Sequence, residues 1–122
     1  DAAGRPQFYD LMRRRSPQHF IAFDLLWLGG EDLRQLPLLE RKRRLRHLAP
    51  DAGPVLYADH VAESGVELFR VVCEQDLEGI VSKRRDGLYT PEATTWVKIK
   101  NPRYSQAEGR RELFERRRAA EV

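Results

Sequence analysis

Apolar positions recur with two different periods along the 122 residues. Over residues 7–15, Phe8, Leu11 and Met12 fall three to four apart, which predicts a short helix entered after Gly4-Arg5-Pro6 and ended by Ser16-Pro17. Residues 20–28 form a dense apolar run broken by Asp24 and closed by Gly29-Gly30, the pattern of a buried strand followed by a turn. Pro37 then opens a helix with Leu38, Leu39, Leu45 and Leu48 on one stripe and with Glu40, Arg41, Lys42, Arg43 and Arg44 on the solvated remainder. Residues 54–57 predict a short strand. Ser64-Gly65-Val66-Glu67 has the spacing of a capping box and starts a helix through Gln75, whose inward face is Leu68, Phe69, Val72 and Cys73. Strands over residues 77–82 and 95–99 follow, separated by a turn-rich segment with Asp86-Gly87 and Pro91. A second capping box, Ser105-Gln106-Ala107-Glu108, opens a final helix that includes Arg110, Arg111, Arg116, Arg117 and Arg118. Helix and strand are mixed throughout, without an internal repeat or a long linker, so the expected class is α+β with a mixed, mainly antiparallel sheet and packed helices.

Composition narrows the picture without redirecting it. Charged residues are 34% and hydrophobic ones 41%, a globular balance for a single domain or part of one. No apolar run approaches the roughly 20 residues that span a bilayer, so a soluble protein with no membrane partner is expected. The net charge of +3 is modest, but the basic side is almost all arginine, whose planar fork suits phosphate. Nucleic acid is therefore a reasonable partner, although the codon bias of a GC-rich genome yields the same excess of arginine. Cys73 is the single cysteine, which rules out an intrachain disulfide and a thiolate metal cluster and fits a reducing cytoplasm. His19, His47 and His60 show no metal-ligand spacing, no signal peptide precedes Asp1, and a start without methionine reads as a fragment.

Candidate chemistry concentrates in Glu78-Gly79-Ile80-Val81-Ser82-Lys83-Arg84 and in Trp96-Val97-Lys98-Ile99-Lys100. Side chains alternate across a strand, so Lys98 and Lys100 share one face, about 7 Å apart, with Val97 and Ile99 on the other. Two ammonium groups so placed repel unless an anion lies between them, and a triphosphate meets that need. A lone Lys-x-Lys is ordinary strand patterning. Here it is accompanied by Glu78, a carboxylate at a strand mouth suited to Mg²⁺, and by Gly79, which permits close backbone approach or an unusual dihedral.

These two stretches resemble motifs IV (EGxVxK) and V (WxKxK) of the covalent nucleotidyltransferases, and most closely those of the ATP-dependent DNA ligases. The resemblance extends to Phe20-Ile21-Ala22-Phe23-Asp24-Leu25-Leu26, to Gly30-Glu31-Asp32-Leu33-Arg34 and to Leu36-Pro37-Leu38-Leu39-Glu40-Arg41-Lys42, which are similar to motif IIIa and the helix after it. It covers most of residues 4–104. It implies that residues 1–104 are the second half of an ATP-grasp-like adenylation (nucleotidyltransferase) domain, that residues 105–122 form a basic C-terminal helix, and that no OB-fold follows. It further implies that Phe23 stacks on adenine, that Lys98 and Lys100 contact the nucleotide phosphates, and that Lys83 closes motif IV in a less defined role. Glu78 would help hold Mg²⁺, and Trp96 would pack.

Two family elements are missing from the chain: no Lys-x-Asp-Gly occurs, so there is no nucleophilic lysine, and no Asp-Gly-Glu precedes motif IIIa. Both would lie before Asp1, on an upstream polypeptide segment. For an intact enzyme the resemblance implies an ATP- and Mg²⁺-dependent DNA ligase that seals nicks in double-stranded DNA during repair or recombination. The route is a lysyl-AMP and then a DNA-adenylate, with Arg116, Arg117 and Arg118 as candidate nucleic-acid contacts. The alternative is a truncated, non-catalytic ligase-like module that binds nucleic acid through its arginines. An RNA ligase or a GTP-using capping enzyme is a third reading, disfavoured by the ligase-like Leu-Pro-Leu-Leu-Glu-Arg-Lys stretch.

Overall fold

The computed structural model describes residues 7–15, 18–49 and 52–107. In chain order these form α1 (Phe8–Met12), β1 (Phe20–Ala22), β2 (Trp27–Leu28), β3 (Glu31–Asp32), α2 (Leu38–Leu48), β4 (Val55–Tyr57), α3 (Gly65–Glu74), β5 (Gly79–Ser82) and β6 (Val97–Lys100), with 3-10 turns at Pro91–Ala93 and Ser105–Ala107. The class is α+β as expected. Among the described residues, however, the strands form three separate pairs: β1 with β4 in parallel, β2 with β3 antiparallel and β5 with β6 antiparallel.

The expected single strand over residues 20–28 is two strands with an irregular bend at residues 23–26. Its cause is Asp24, whose carboxylate accepts the Leu25 N–H at 2.8 Å and turns away from the ladder toward Arg41. The run is not buried either, since Phe20 is 68% exposed. After β2, Gly29 and Gly30 take φ of +57° and +85°, the left-handed values a tight hairpin turn demands.

The core lies around α2. Leu33, Leu38, Leu45 and Val72 are buried, while Leu39 and Leu48 of the expected α2 stripe are exposed. The polar face of α2 is not wholly solvated: Arg41 and Lys42 are buried. Glu40, Arg43 and Arg44 do lie at the surface, as an i,i+3 and i,i+4 ion-pair network. Pro37 offers no side-chain cap, so the first N–H groups of α2 take partners from the turn after β5: Leu38 donates to the Gly87 carbonyl at 3.0 Å and Leu39 to the Arg85 carbonyl at 3.1 Å. Thus α2 and the segment following β5 are fixed to each other by backbone.

The expected capping box at Ser64 does not form as drawn, and the one at Ser105 extends to Glu108, outside the described residues. Ser64 is the N-cap residue of α3 but makes no side-chain capping bond. At Ser105 the backbone N–H and the hydroxyl both donate to the Asp76 carboxylate, which ties the turn after β6 to the end of α3. The expected final helix lies outside the described residues, and with it Arg116, Arg117 and Arg118. No helix among the described residues is long and apolar enough to cross a membrane.

Candidate functional site

Phe23 emerges from the bend after β1, where the chain leaves the ladder and the ring can project rather than pack; it is 53% exposed. Lys83 follows β5 directly, and Trp96 directly precedes β6, so the hairpin register brings them together opposite Phe23. The Lys83 Nζ stands 3.7 Å from the Trp96 ring centroid and 4.4 Å from that of Phe23. Phe23 and Trp96 meet edge to face at 6.4 Å, and Tyr89 adds a second edge contact to Trp96 at 5.7 Å. Burial pushes the Lys83 ammonium below its ordinary pKa; Asp24 opposes that shift, and Lys42 and Arg41 reinforce it.

This cluster forms one wall of a cavity of about 750 Å³ whose other walls come from α2, the segment after β4 and β5. Lys42 also lines it, with Nζ donating to the Ala58 carbonyl at 2.7 Å and lying 4.6 Å from the Tyr57 ring centroid. Its pKa is lowered, again chiefly by burial, against the pull of Asp59 and Asp24. The cavity is thus an apolar space with an exposed aromatic edge and two partly desolvated ammonium groups, suited to a ligand with a flat apolar part and an anionic part.

The second group lies further along the same hairpin. Opposite residues in an antiparallel pair share a face, so Lys98 sits beside Val81 and Lys100 beside Gly79, both on one face as expected. Glu78, just before β5, accepts a 2.7 Å charge-assisted bond from Lys98 Nζ. Gly79 has φ of +150°, and a Cβ there would collide with the Ile99 carbonyl oxygen, so the close approach expected of this glycine is real. Asn101 holds the strand mouth: its side-chain amide donates to the Leu77 carbonyl at 3.0 Å, and its backbone N–H to the Glu78 carbonyl at 2.8 Å. Glu78, Lys98 and Lys100 are not among the residues that line the cavity.

Glu78 alone does not make a metal cage, and among the described residues no group of three or more His, Cys, Asp or Glu could hold an ion. One carboxylate fits a Mg²⁺ whose remaining ligands are water and phosphate oxygens, the usual habit of that ion at nucleotides.

The resemblance put Phe23, Lys83, Lys98 and Lys100 together at the nucleotide, with Glu78 on its metal and Trp96 packing; the structure gathers Phe23, Lys83 and Trp96 at the cavity and sets Glu78, Lys98 and Lys100 apart along the hairpin. Sequence reasoning missed Arg41, Lys42, Tyr89 and Asn101. For Arg41 a signal existed in the unexplained acid at Asp24, which needed a cation; a charged helical run does not show which of its members turns inward.

An aromatic and cationic cavity beside an ion-paired hairpin defines a small α+β protein able to hold an anionic ligand with a planar group. The sequence profile of the ATP dependent DNA ligase domain matches residues 3–100, and the chain belongs to that family. It is 35% identical over 104 residues to the multifunctional non-homologous end joining protein LigD of Mycolicibacterium smegmatis, covering 82% of this chain and 14% of that protein. A DNA ligase of Thermococcus fumicolans is 33% identical over 95 residues, covering 73% of this chain and 17% of the relative. The crystal structure of the ligase domain from M. tuberculosis LigD superposes with a TM-score of 0.68 at 32% identity, over 82% of this chain and 34% of that one. The chain therefore spans about a seventh of the LigD relative and about a third of the solved ligase domain.

Proposed function

We propose that this chain is the nucleotide-gripping part of an ATP-dependent DNA ligase that seals nicks in double-stranded DNA. The observation that carries the reading is the convergence of Phe23, Trp96 and Lys83 at one cavity wall, with Glu78 and Lys98 on the same hairpin. In this reading Phe23 offers its ring to adenine, and Lys83 supplies positive charge close to that ring. Lys98 and Lys100 face the phosphates, and Glu78 would help hold a Mg²⁺, which when bound would supply neutralising charge there. All of these are positioning and electrostatic roles, which form the larger share of catalysis in phosphoryl transfer. The nucleophilic lysine of a Lys-x-Asp-Gly comes from an upstream segment, and the lysyl-AMP and DNA-adenylate intermediates belong to the enzyme so completed. Residues 1–104 are then part of the adenylation domain and residues 105–122 a basic helix, with Arg116, Arg117 and Arg118 toward DNA and no OB-fold within these 122 residues. The compartment is the cytoplasm, consistent with Cys73 as a free thiol.

Calorimetry on the full chain with ATP and Mg²⁺ tests the grip, and intact mass tests the chemistry. The chain is expected to bind ATP without gaining mass, and to be joined to one AMP only when the Lys-x-Asp-Gly segment is part of the polypeptide. Absence of ATP binding, together with DNA binding that weakens steeply with salt and ignores sequence, would instead establish a non-catalytic nucleic-acid-binding module.

A further inference from the structure

The guanidinium of Arg41 is fully buried and spends its donors on three separate segments. Nε and Nη2 donate to the two Asp24 carboxylate oxygens at 2.8 and 3.0 Å; Nη1 donates to the Leu36 carbonyl at 2.6 Å and to the Gly87 carbonyl at 3.2 Å. Its Cζ lies 6.0 Å from the Tyr89 ring centroid, and Tyr89 in turn abuts Trp96. The next residue of α2, Lys42, reaches the other side of the same bend, with Nζ on the Ala58 carbonyl and 3.5 Å from the Phe23 carbonyl. Adjacent buried cations of one helix thus hold Phe23 from both sides, through its own carbonyl and through its neighbour's carboxylate. Because Phe23 itself is half exposed, packing alone does not set its ring.

We infer that Arg41, aided by Lys42, is a positioning residue of the nucleotide site: its fork on Asp24 sets the Phe23 ring and ties it to the segment after Lys83. A bidentate pair of this kind is rigid and directional, which a lysine at the same place cannot reproduce. Arg41 is fully buried and does not line the cavity; it acts through Phe23. The inference rests on the nucleotide reading above, and its test separates the two.

The experiment is calorimetric titration of the full chain with ATP and, separately, with inorganic tripolyphosphate. The variants are R41K, F23A, the double variant F23A/R41K, and D24N/R41M, which removes both buried charges and leaves none unpaired, so that folding is retained where R41K fails to fold. Thermal unfolding of each variant is recorded alongside. R41K and D24N/R41M are expected to weaken ATP by about tenfold, the worth of one aromatic stack, and tripolyphosphate by less than about twofold. In the F23A background R41K is expected to add almost nothing, the non-additivity of residues that act as a unit. Equal losses for ATP and tripolyphosphate, unchanged ATP affinity, or full additivity with F23A would each overturn the inference. A wild-type chain that binds ATP no better than tripolyphosphate would overturn the nucleotide reading itself, and this inference with it.

Discussion

At Gly79 the backbone stands at φ +150° with the Lys100 Cα 2.9 Å from where a Cβ would be, and with the Ile99 carbonyl closer still. Gly79→Ala is expected to cost roughly 1–3 kcal/mol from the dihedral alone and more from the displaced strand, measured by urea unfolding. It would also shift Glu78 from Lys98. Lys83 gives a pH signature of known sign. Burial holds its pKa below the ordinary 10.5, so between the lowered value and 10.5 the folded chain binds fewer protons than the unfolded one. The cost of burying the ammonium is full below the lowered value and is relieved as pH rises toward 10.5, so stability attributable to this residue increases across that window. Denaturant unfolding from pH 8 to 10.5 should show a flatter rise in Lys83→Met than in the wild type; equal slopes would count against the burial argument. The carboxyl of Glu40 shows the same sense in an acidic window, through a favourable contribution rather than a relieved cost. Hydrogen bonds from Arg43 and Arg44 hold it at about 2, so its contribution is present above the ordinary carboxylate range and is lost as pH falls toward that value. Solvent screens it, and Glu40→Gln should change the unfolding midpoint only slightly at neutral pH and not at all in 1 M salt.

On α2 the same charged run serves two environments. Glu40, Arg43 and Arg44 pair at the surface, whereas Arg41 and Lys42 turn inward to an acid and to backbone carbonyls. Removing one partner of the buried pair leaves a desolvated charge, so Asp24→Ala is expected to lose roughly 3–5 kcal/mol, while D24N/R41M stays within about 1 kcal/mol of the wild type or gains. Chemical denaturation of both variants checks this, and similar losses in the two would show that the charge was not the cause. Element identity was largely legible from periodicity: the helices over residues 8–12, 38–48 and 65–74 and the closing hairpin lie within a few residues of expectation. The dense run at residues 20–28 misled because apolar content does not report burial, and because Asp24 takes its partner from a helix that local sequence cannot place beside it. The capping box at Ser64 misled, since that serine makes no side-chain capping bond. At Ser105 the structure adds a long-range bond to Asp76, and nothing local to Ser105 announces that acid. In the site, alternation correctly put Lys98 and Lys100 on one face, whereas the support from Arg41, Tyr89 and Asn101 depends on long-range contacts and left no period to read.

At the scale of the molecule, the core among the described residues is small and its rim is apolar. Phe20, Val66 and Val97 are 68%, 82% and 55% exposed, and each of the three strand pairs described presents outer edges. Exposed apolar strands next to such edges favour pairing between copies. Sedimentation of the 122-residue chain is expected to show association that grows with concentration and falls in the double variant F20K/V97K; a strictly monomeric wild type across the micromolar range would refute it. The parallel pairing of β1 with β4 carries a different consequence, one of sequence in time. Between these strands lies all of β2, β3 and α2, so their contact closes a long loop, whereas β5 and β6 are joined by the shorter segment 83–96. Loop closure grows dearer with length, and local hairpins form early. The hairpin bearing Glu78 and Lys98 should therefore protect its amides first in pulse-labelled refolding, and the bend that carries Phe23 should be the last part to acquire its native place.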